Sequence, residues 1–308
     1  MNVLEALGLN FGLLVIIMIL LWLISIRIRD VSFIDAFWAY GMAIMASASF
    51  IQTETPGSLV YTIWALTALW GIRLGTHLFL RWRKEGVDPR YKKIMGRAME
   101  KQGMSFAKAA LLKAWAMQIP LLFIVCLPAQ LGILLAGTDG LSTVSIIGAI
   151  IALVGIAFET VGDMQLKAFK FNPASKGMVL DIGLWKYTRH PNYFGDFCAW
   201  WGIWLAAAPL GWPVWLAAIG PLFLSFTLMK WSGAPLLEKS LKRTGLIMQA
   251  ISSAPPGFSR CRRESPPVND QGRPPYRYRG TRYRGRSRIL SRRYRLRAGL
   301  AQRHPVGQ

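Results

Sequence analysis

Seven apolar segments, each close to the length that crosses a lipid bilayer, constrain what this chain can fold into. They lie near residues 8–27, 31–51, 58–80, 113–136, 143–165, 192–208 and 213–230. A membrane-spanning helix needs about 20 predominantly apolar residues. We therefore predict an all-α, polytopic helical membrane protein with about seven transmembrane helices. The last two segments share the turn "APLGWP" and should form a helical hairpin, and Pro120 and Pro128 should kink the fourth.

The composition agrees with a membrane protein that has basic loops. The chain has 308 residues, of which 53% are hydrophobic, and a net charge of +22. A soluble domain rarely combines these values. The three Cys and three His residues show no spacing typical of a disulfide framework or a zinc site, so we expect no metal.

The basic residues mark one side of the membrane. Loops 51–57, 136–142 and 206–212 contain no Lys or Arg, whereas the loops between them and the segment after the last span are rich in both. Such loops remain in the cytoplasm. We predict an outside N-terminus, a cytoplasmic C-terminus and an active site facing the cytoplasm. The start "MNVLEALGLN" has no positive charge, so the first span is predicted to be an uncleaved anchor.

Ionisable residues lie within the fifth span, in "FETVGDMQLKAFK". Glu159, Asp163, Lys167 and Lys170 fall on one face of a helix. A charge inside a bilayer costs free energy and indicates a functional position. Asp163 could instead form a plain salt bridge with Lys167. Because Glu159 lies about 12 Å deeper than Lys167, at a rise of 1.5 Å per residue, we predict that it faces an inward cavity.

The sixth span begins with a second polar group, "TRHPNYFGD". Pro191 suits the first helical position and His190 the N-cap. The free backbone N–H groups and the positive end of the helix dipole, beside Arg189, would bind an anion. Asn192 and Asp196 share one face of this helix. The alternative is a capped helix with an Arg that binds lipid headgroups, but we favour a pocket for a phosphate-bearing ligand.

Arg73 is also predicted to lie within the membrane, because it precedes Arg81 by two helical turns in the third span. An ion pair with Asp35 of the second span, or with Glu159 of the fifth, would reduce its cost.

At these residues the chain resembles a known group of proteins. The segments "FETVGDMQLKAFK", "SKGMVLDIGLWKYTRHPNYFGDFCAWWG" and "SGAPLLEKSLKR" are similar to an uncharacterised family of multi-span membrane proteins, grouped with the C-terminal domain of the steroid 5-alpha-reductases. "VSFIDAFW", "LWGIRLGTHLFLRWR" and "GVDPRYKKI" resemble its N-terminal half. The likeness covers about residues 20–243. A shorter "RHPxY" core is shared with isoprenylcysteine carboxyl methyltransferases and phospholipid methyltransferases.

The resemblance to the reductases implies an integral-membrane enzyme that uses NADPH. Its substrate would be a lipid-like enone, similar to a steroid or a prenyl compound, and it would reduce the conjugated double bond. The methyltransferase likeness would instead imply S-adenosylmethionine. Arg189 and the basic loops suit a polyphosphate, which S-adenosylmethionine lacks, so we favour NADPH.

The resemblance also implies roles for particular residues. It carries cofactor contacts onto Arg189, His190, Asn192 and Tyr193, adds Asp163 and Tyr187 as further candidates, and matches Glu238 to an acidic position after the last helix. With Asp196, the candidate cofactor-binding residues are Asp163, Arg189, His190, Asn192, Tyr193, Asp196 and Glu238. The reductases take their catalytic pair from an N-terminal half that has no secure match here. The candidates for the catalytic acid are Tyr187, Tyr193 and Glu159.

We divide the chain into N-terminal helices with a basic loop (1–110), a reductase-like domain with the cofactor pocket (111–243) and a tail (244–308). The tail holds 15 Arg and no Lys and is predicted to be disordered. It could be a nucleic-acid or anionic-lipid binding tail of a non-enzymatic membrane protein, or the product of a frameshift in GC-rich DNA. We favour the frameshift, and expect the bilayer and a hydrophobic small molecule, not nucleic acid, as partners.

Overall fold

A computed structural model describes residues 2–175 and 180–231 of the chain. In this part the regular secondary structure is helical, without a β-strand, which confirms the predicted all-α class. Glu238 and the tail at 244–308 lie outside the described residues.

Most of the helices follow one another with short connections, and the longest connection joins α8 to α9. In chain order they are α1 (Val3–Ile28), α2 (Ile34–Ile51), α3 (Ser58–Glu85), α4 (Pro89–Gln102), α5 (Phe106–Ala110), α6 (Ala116–Val125), α7 (Leu127–Ala136), α8 (Thr143–Phe171), α9 (Pro191–Ala207), α10 (Trp212–Leu216) and α11 (Ile219–Phe226). A π-helical segment, Leu111–Trp115, joins α5 to α6, and another, Thr227–Trp231, follows α11. Short 3-10 turns lie at Pro173–Ser175, Gly183–Lys186 and Ala208–Leu210.

Within residues 2–175 and 180–231, six helical segments are long and apolar enough to cross a membrane. They are Val3–Ile28, Ile34–Ile51, Ser58–Glu85, Phe106–Val125, Thr143–Phe171 and Trp212–Met229. The chain is therefore a multi-pass membrane protein. Helix α9 has 17 residues and is shorter than the length expected of a full span.

The fourth predicted span is broken as its prolines suggested. Helix α6 ends at Val125 and α7 begins at Leu127, with Pro128 in the first turn of α7. Proline has no backbone N–H to continue the helical hydrogen bonds, so a helix breaks most easily just before it. Pro120 lies inside α6.

A buried polar network joins α1, α2 and α7. The Asn10 Nδ2 atom donates hydrogen bonds to Ser49 Oγ at 2.8 Å and to Gln130 Oε1 at 3.0 Å. The Gln52 Nε2 atom donates to Asn10 Oδ1 at 2.7 Å. Polar side chains that bond across helices in an apolar environment stabilise a membrane bundle. This network holds the N-terminal helices against α7.

The amphipathic helix α4 is bound to the start of α2. Arg90 Nη2 donates to Asp35 Oδ2 at 2.7 Å, and the Tyr91 hydroxyl donates to Asp35 Oδ1 at 2.7 Å. The prediction that Asp35 could be the partner of Arg73 was therefore wrong. Asp88 is the N-cap of α4. Burial raises the pKa of the Asp88 carboxyl, but hydrogen bonds from Arg90 outweigh that effect and hold its pKa below the usual value.

Helices α8 and α9 pack with their backbones in close contact. Glycines recur every seven residues along both helices, at Gly148, Gly155, Gly162, Gly195 and Gly202. A Cβ atom added to Gly155 would lie 2.5 Å from the backbone nitrogen of Ala199, and one on Gly195 would lie 2.4 Å from that of Glu159. Only hydrogen atoms fit at these positions. The close approach places Glu159 beside the second turn of α9.

We expect Gly155→Ala to destabilise the protein, because the added methyl group would collide with the backbone of α9. Overpacking of this kind costs roughly 1–3 kcal/mol or more, which would appear as a lower Tm of the purified protein in detergent. The matched control is Gly12→Ala in α1, where an added Cβ meets no atom within 4 Å. An equal change of Tm in the two variants would contradict the close contact.

Candidate functional site

Arg73 of α3 forms a buried ionic cluster with two carboxylates of α8. Its Nη1 atom lies 2.8 Å from Asp163 Oδ2, and its Nη2 atom pairs with Glu159 Oε2. Glu159 is only 3% exposed and Asp163 only 8%. The predicted pair of Arg73 with Glu159 is thus confirmed. The ion-pair partner of Asp163 is Arg73, whereas Lys167, the partner considered from the sequence, is exposed.

Two tryptophans cover this cluster. Trp70 Nε1 donates a hydrogen bond of 3.0 Å to Glu159 Oε2. The Trp70 ring meets Trp200 of α9 edge to face, with 5.1 Å between ring centroids, and both side chains are buried. Because Glu159, Asp163 and Trp70 are buried, the ion pairs interact more strongly than they would in water. Trp70 was not among the predicted site residues, although a Trp three residues before an intramembrane Arg lies on the same helical face and was available as an indication.

Asp196 of α9 adds a third carboxylate. It is 8% exposed, and its Oδ1 atom has no hydrogen-bond partner among the described residues. Its electrostatic neighbours are Arg73 and Asp163, and Glu159 in turn has Asp196 among its neighbours. The buried cluster therefore contains three carboxyl groups and one guanidinium.

The first turn of α9 holds the other predicted residues together. His190 is the N-cap and Pro191 the first helical residue, as predicted. The rings of His190 and Tyr193 stack with centroids 5.2 Å apart. The Oδ1 atom of Asn192 is buried and has no hydrogen-bond partner in the described part of the chain. Because Asn192 and Asp196 are one turn apart, about 6 Å along the axis, this helix start adjoins the ionic cluster.

The helix start also packs directly on α8. A Cβ atom added to Gly162 would lie 3.2 Å from the backbone nitrogen of Asn192. The segment before α9 also contacts α8. Trp185 Nε1 donates a 3.0 Å hydrogen bond to the backbone carbonyl of Gly162. Arg189 is half-buried beside the helix start. Asp163, His190, Asn192, Tyr193 and Asp196 are thus brought into one region between α3, α8 and α9.

Tyr187 is placed differently from the other candidates. It is 66% exposed, and no described hydrogen bond joins it to the carboxylates of the cluster. The turn before Tyr187 contacts the side of α8 that carries Gln165. The Gln165 Oε1 atom accepts a 3.0 Å hydrogen bond from the Leu184 backbone N–H. Of the two tyrosines considered as the catalytic acid, Tyr193 is the one near the cluster.

An open apolar groove of about 250 Å³ lies on the other face of α8. Its lining residues are Val154, Ala157, Phe158, Val161 and Leu184. By helical periodicity this face is opposite to the one that carries Glu159 and Asp163. The predicted polar residues do not line this groove. Instead of facing an open cavity, Glu159 meets Arg73 directly.

We expect Arg73→Met to destabilise the protein strongly, because Glu159 and Asp163 would lose their shared positive partner. Removing one side of a buried ion pair costs about 3–5 kcal/mol, measurable as a fall in Tm. Arg83→Met changes an exposed residue in the last turn of the same helix and is the matched control. Adding Glu159→Gln and Asp163→Asn to Arg73→Met should recover part of the loss. Equal effects of the two single substitutions would contradict the buried pairing.

The chain matches one family model. The model is described as "Protein of unknown function (DUF1295)" and covers residues 21–247. The match includes the C-terminal end of α1, all of α2 to α11, and all the residues of the cluster. No curated protein and no solved structure matches the chain. In the described part of the chain, no group of three or more His, Cys, Asp or Glu residues suits a metal ion.

Proposed function

The chain belongs to the DUF1295 family, and from that premise we propose that it is an integral-membrane, NADPH-dependent reductase of a lipid-like enone. The observation that carries the proposal is the path of polar residues along α9. It leads from a helix N-terminus with Arg189 and Asn192 to the buried carboxylates beside Asp196. The similarity of these segments to the steroid 5-alpha-reductase group supports the same activity.

The proposed topology has seven spans, with α9 as a short sixth span. The N-terminus lies outside, and the basic loops, α4 and the C-terminus lie in the cytoplasm. The distribution of Lys and Arg supports this orientation. It places the N-terminal end of α9 at the cytoplasmic surface, where a soluble cofactor has access.

The first turn of α9 has the chemistry of a phosphate site. The first backbone N–H groups of a helix have no acceptor within that helix, and the helix dipole favours an anion there. Arg189 adjoins this turn, and the electrostatic surroundings of Tyr193 include Arg81 and Arg90. The residues that would hold NADPH are Asp163, Arg189, His190, Asn192, Tyr193 and Asp196, with Glu238 beyond the described residues. S-adenosylmethionine has no phosphate and would leave the basic groups unused.

The residues of the chain would supply orientation and a proton, whereas NADPH supplies a hydride when it is bound. Tyr193 would donate a hydrogen bond to the substrate carbonyl, which would polarise the conjugated double bond. Glu159 and its neighbours form an acidic group one turn deeper. Trp70 and Trp200 keep bulk water away from that group. The substrate, a steroid-like or prenyl-like molecule, would enter from the bilayer.

We expect NADPH to raise the Tm of the purified full-length protein, because a ligand that binds only the folded state stabilises it. Asn192→Ala and Arg189→Ala should each reduce the shift. Lys186→Ala, a nearby exposed basic residue, should leave it unchanged. If S-adenosylmethionine alone protects the protein, it is a methyltransferase instead, and if neither compound does, the cofactor hypothesis is wrong.

We expect the protein in lipid nanodiscs to oxidise NADPH when a steroid enone is supplied. Tyr193→Phe should lower kcat by about 10²–10⁴-fold, the usual contribution of a positioned acid. Tyr61→Phe, at an exposed position of α3, is the control and should change kcat little. A larger loss in Tyr187→Phe than in Tyr193→Phe would assign the acid to the exposed tyrosine.

A further inference from the structure

The buried cluster holds more acidic groups than basic partners. Arg73 is engaged by both Glu159 and Asp163, so this trio would carry a charge of −1 if both acids were ionised. Asp196 lies against the trio, is more than nine-tenths buried, and has no ion-pair partner among the described residues. Full ionisation would therefore place two uncompensated negative charges inside the bundle.

Such an arrangement is unfavourable in a bilayer. An uncompensated carboxylate near the middle of a membrane is costly and is rarely left without a partner. Two carboxylates that share a site cannot easily ionise together, and the common solution is one proton between them. The excess charge could be removed in the same way here.

The groups around Asp196 show which acid would share that proton. Trp70 and Arg73 face it from α3, and Glu159 and Asp163 face it from α8. Arg73 pairs with both Glu159 and Asp163, and His77 interacts with Asp163. An added Cβ on Gly195 would lie 2.7 Å from the Cβ of Glu159.

Of the two acids of α8, Glu159 is therefore the one that contacts the backbone of α9 next to Asp196, and Asp196 is among its electrostatic neighbours. The Oδ1 atom of Asp196 also has no hydrogen-bond partner among the described residues, although buried polar atoms are nearly always hydrogen-bonded. A carboxylic acid hydrogen between the two groups would satisfy it.

We propose that Glu159 and Asp196 hold one shared proton in the resting protein, and that this proton is delivered to the substrate during reduction. The delivery step rests on the proposed function. Hydride addition to the β-carbon of the enone moves the electron pair of the double bond to the carbonyl oxygen and forms an enolate. The enolate then takes the proton from the acid pair and becomes the saturated ketone. The pair is left as two carboxylates and regains a proton from water at the cytoplasmic end of α9.

The shared proton is tested by infrared spectroscopy of the purified full-length protein at pH 7, without cofactor. We expect a carbonyl stretching band of a protonated carboxylic acid that shifts in D₂O. Asp196→Asn and Glu159→Gln should each abolish or shift it. Asp139→Asn, at an exposed carboxylate, should leave it intact. If Asp196→Asn does not fold, Glu159→Gln alone decides the result.

Two infrared results would overturn the proposal. One is the absence of the band from the unsubstituted protein. If the band is absent and Na⁺ salts raise the Tm, a cation takes the place of the proton, and the proposal is overturned as well. The other is an intact band in both Asp196→Asn and Glu159→Gln. Neither measurement uses NADPH, so a failure here is distinct from a failure of the proposed function.

The delivery step is tested by the kinetics of Glu159→Gln. We expect kcat for NADPH oxidation with a steroid enone to fall at least 10²-fold, while the Tm shift produced by NADPH is retained. Loss of both the Tm shift and kcat would make Glu159 a cofactor contact and overturn the delivery step. An unchanged kcat would overturn it as well.

Discussion

The ion pairing of Arg73 with Glu159 and Asp163 is the interaction on which the rest of the structure depends. A guanidinium in the apolar part of a bundle must be matched by negative charge. This requirement determines how α3 of the N-terminal half meets α8. The same contact brings Trp70 against Trp200 and places Asp196 at the edge of the cluster. One electrostatic constraint thus organises residues from three helices.

Close backbone contact between α8 and α9 gives the ionic cluster its connection to the helix start. Glycines remove the side chains that would otherwise hold the two helices about 8–10 Å apart. Asn192 can therefore lie against Gly162, and Glu159 against Gly195. A wider separation would leave the first turn of α9 and the carboxylates as two unrelated polar groups. The contact surface between α8 and α9 is therefore needed both for helix packing and for the proposed chemistry.

The predictions about charged residues were correct or wrong according to which ion-pair partner each residue has in the folded chain. Arg73 was expected to pair with Glu159 or with Asp35, and depth in the membrane alone allowed both. Asp35 instead binds Arg90 and Tyr91, because α4 folds back onto the start of α2. A local sequence pattern does not show that α4 folds back onto the start of α2. The exposure of Tyr187 has a similar origin, since it follows from how the preceding turn is attached to α8.

The sequence by itself determined the all-α class, the apolar helices, the break at Pro128 and the start of α9 at Pro191. These features depend on residue type and on spacing along one helix, which are local properties. Only the tertiary structure decided that Arg73 joins two carboxylates, that Trp70 and Trp200 cover them, and that Asp196 lies beside Glu159 with an unpartnered oxygen. These contacts join residues more than 35 positions apart in the chain, and they form because buried charges and helix surfaces must find complementary partners at the same time.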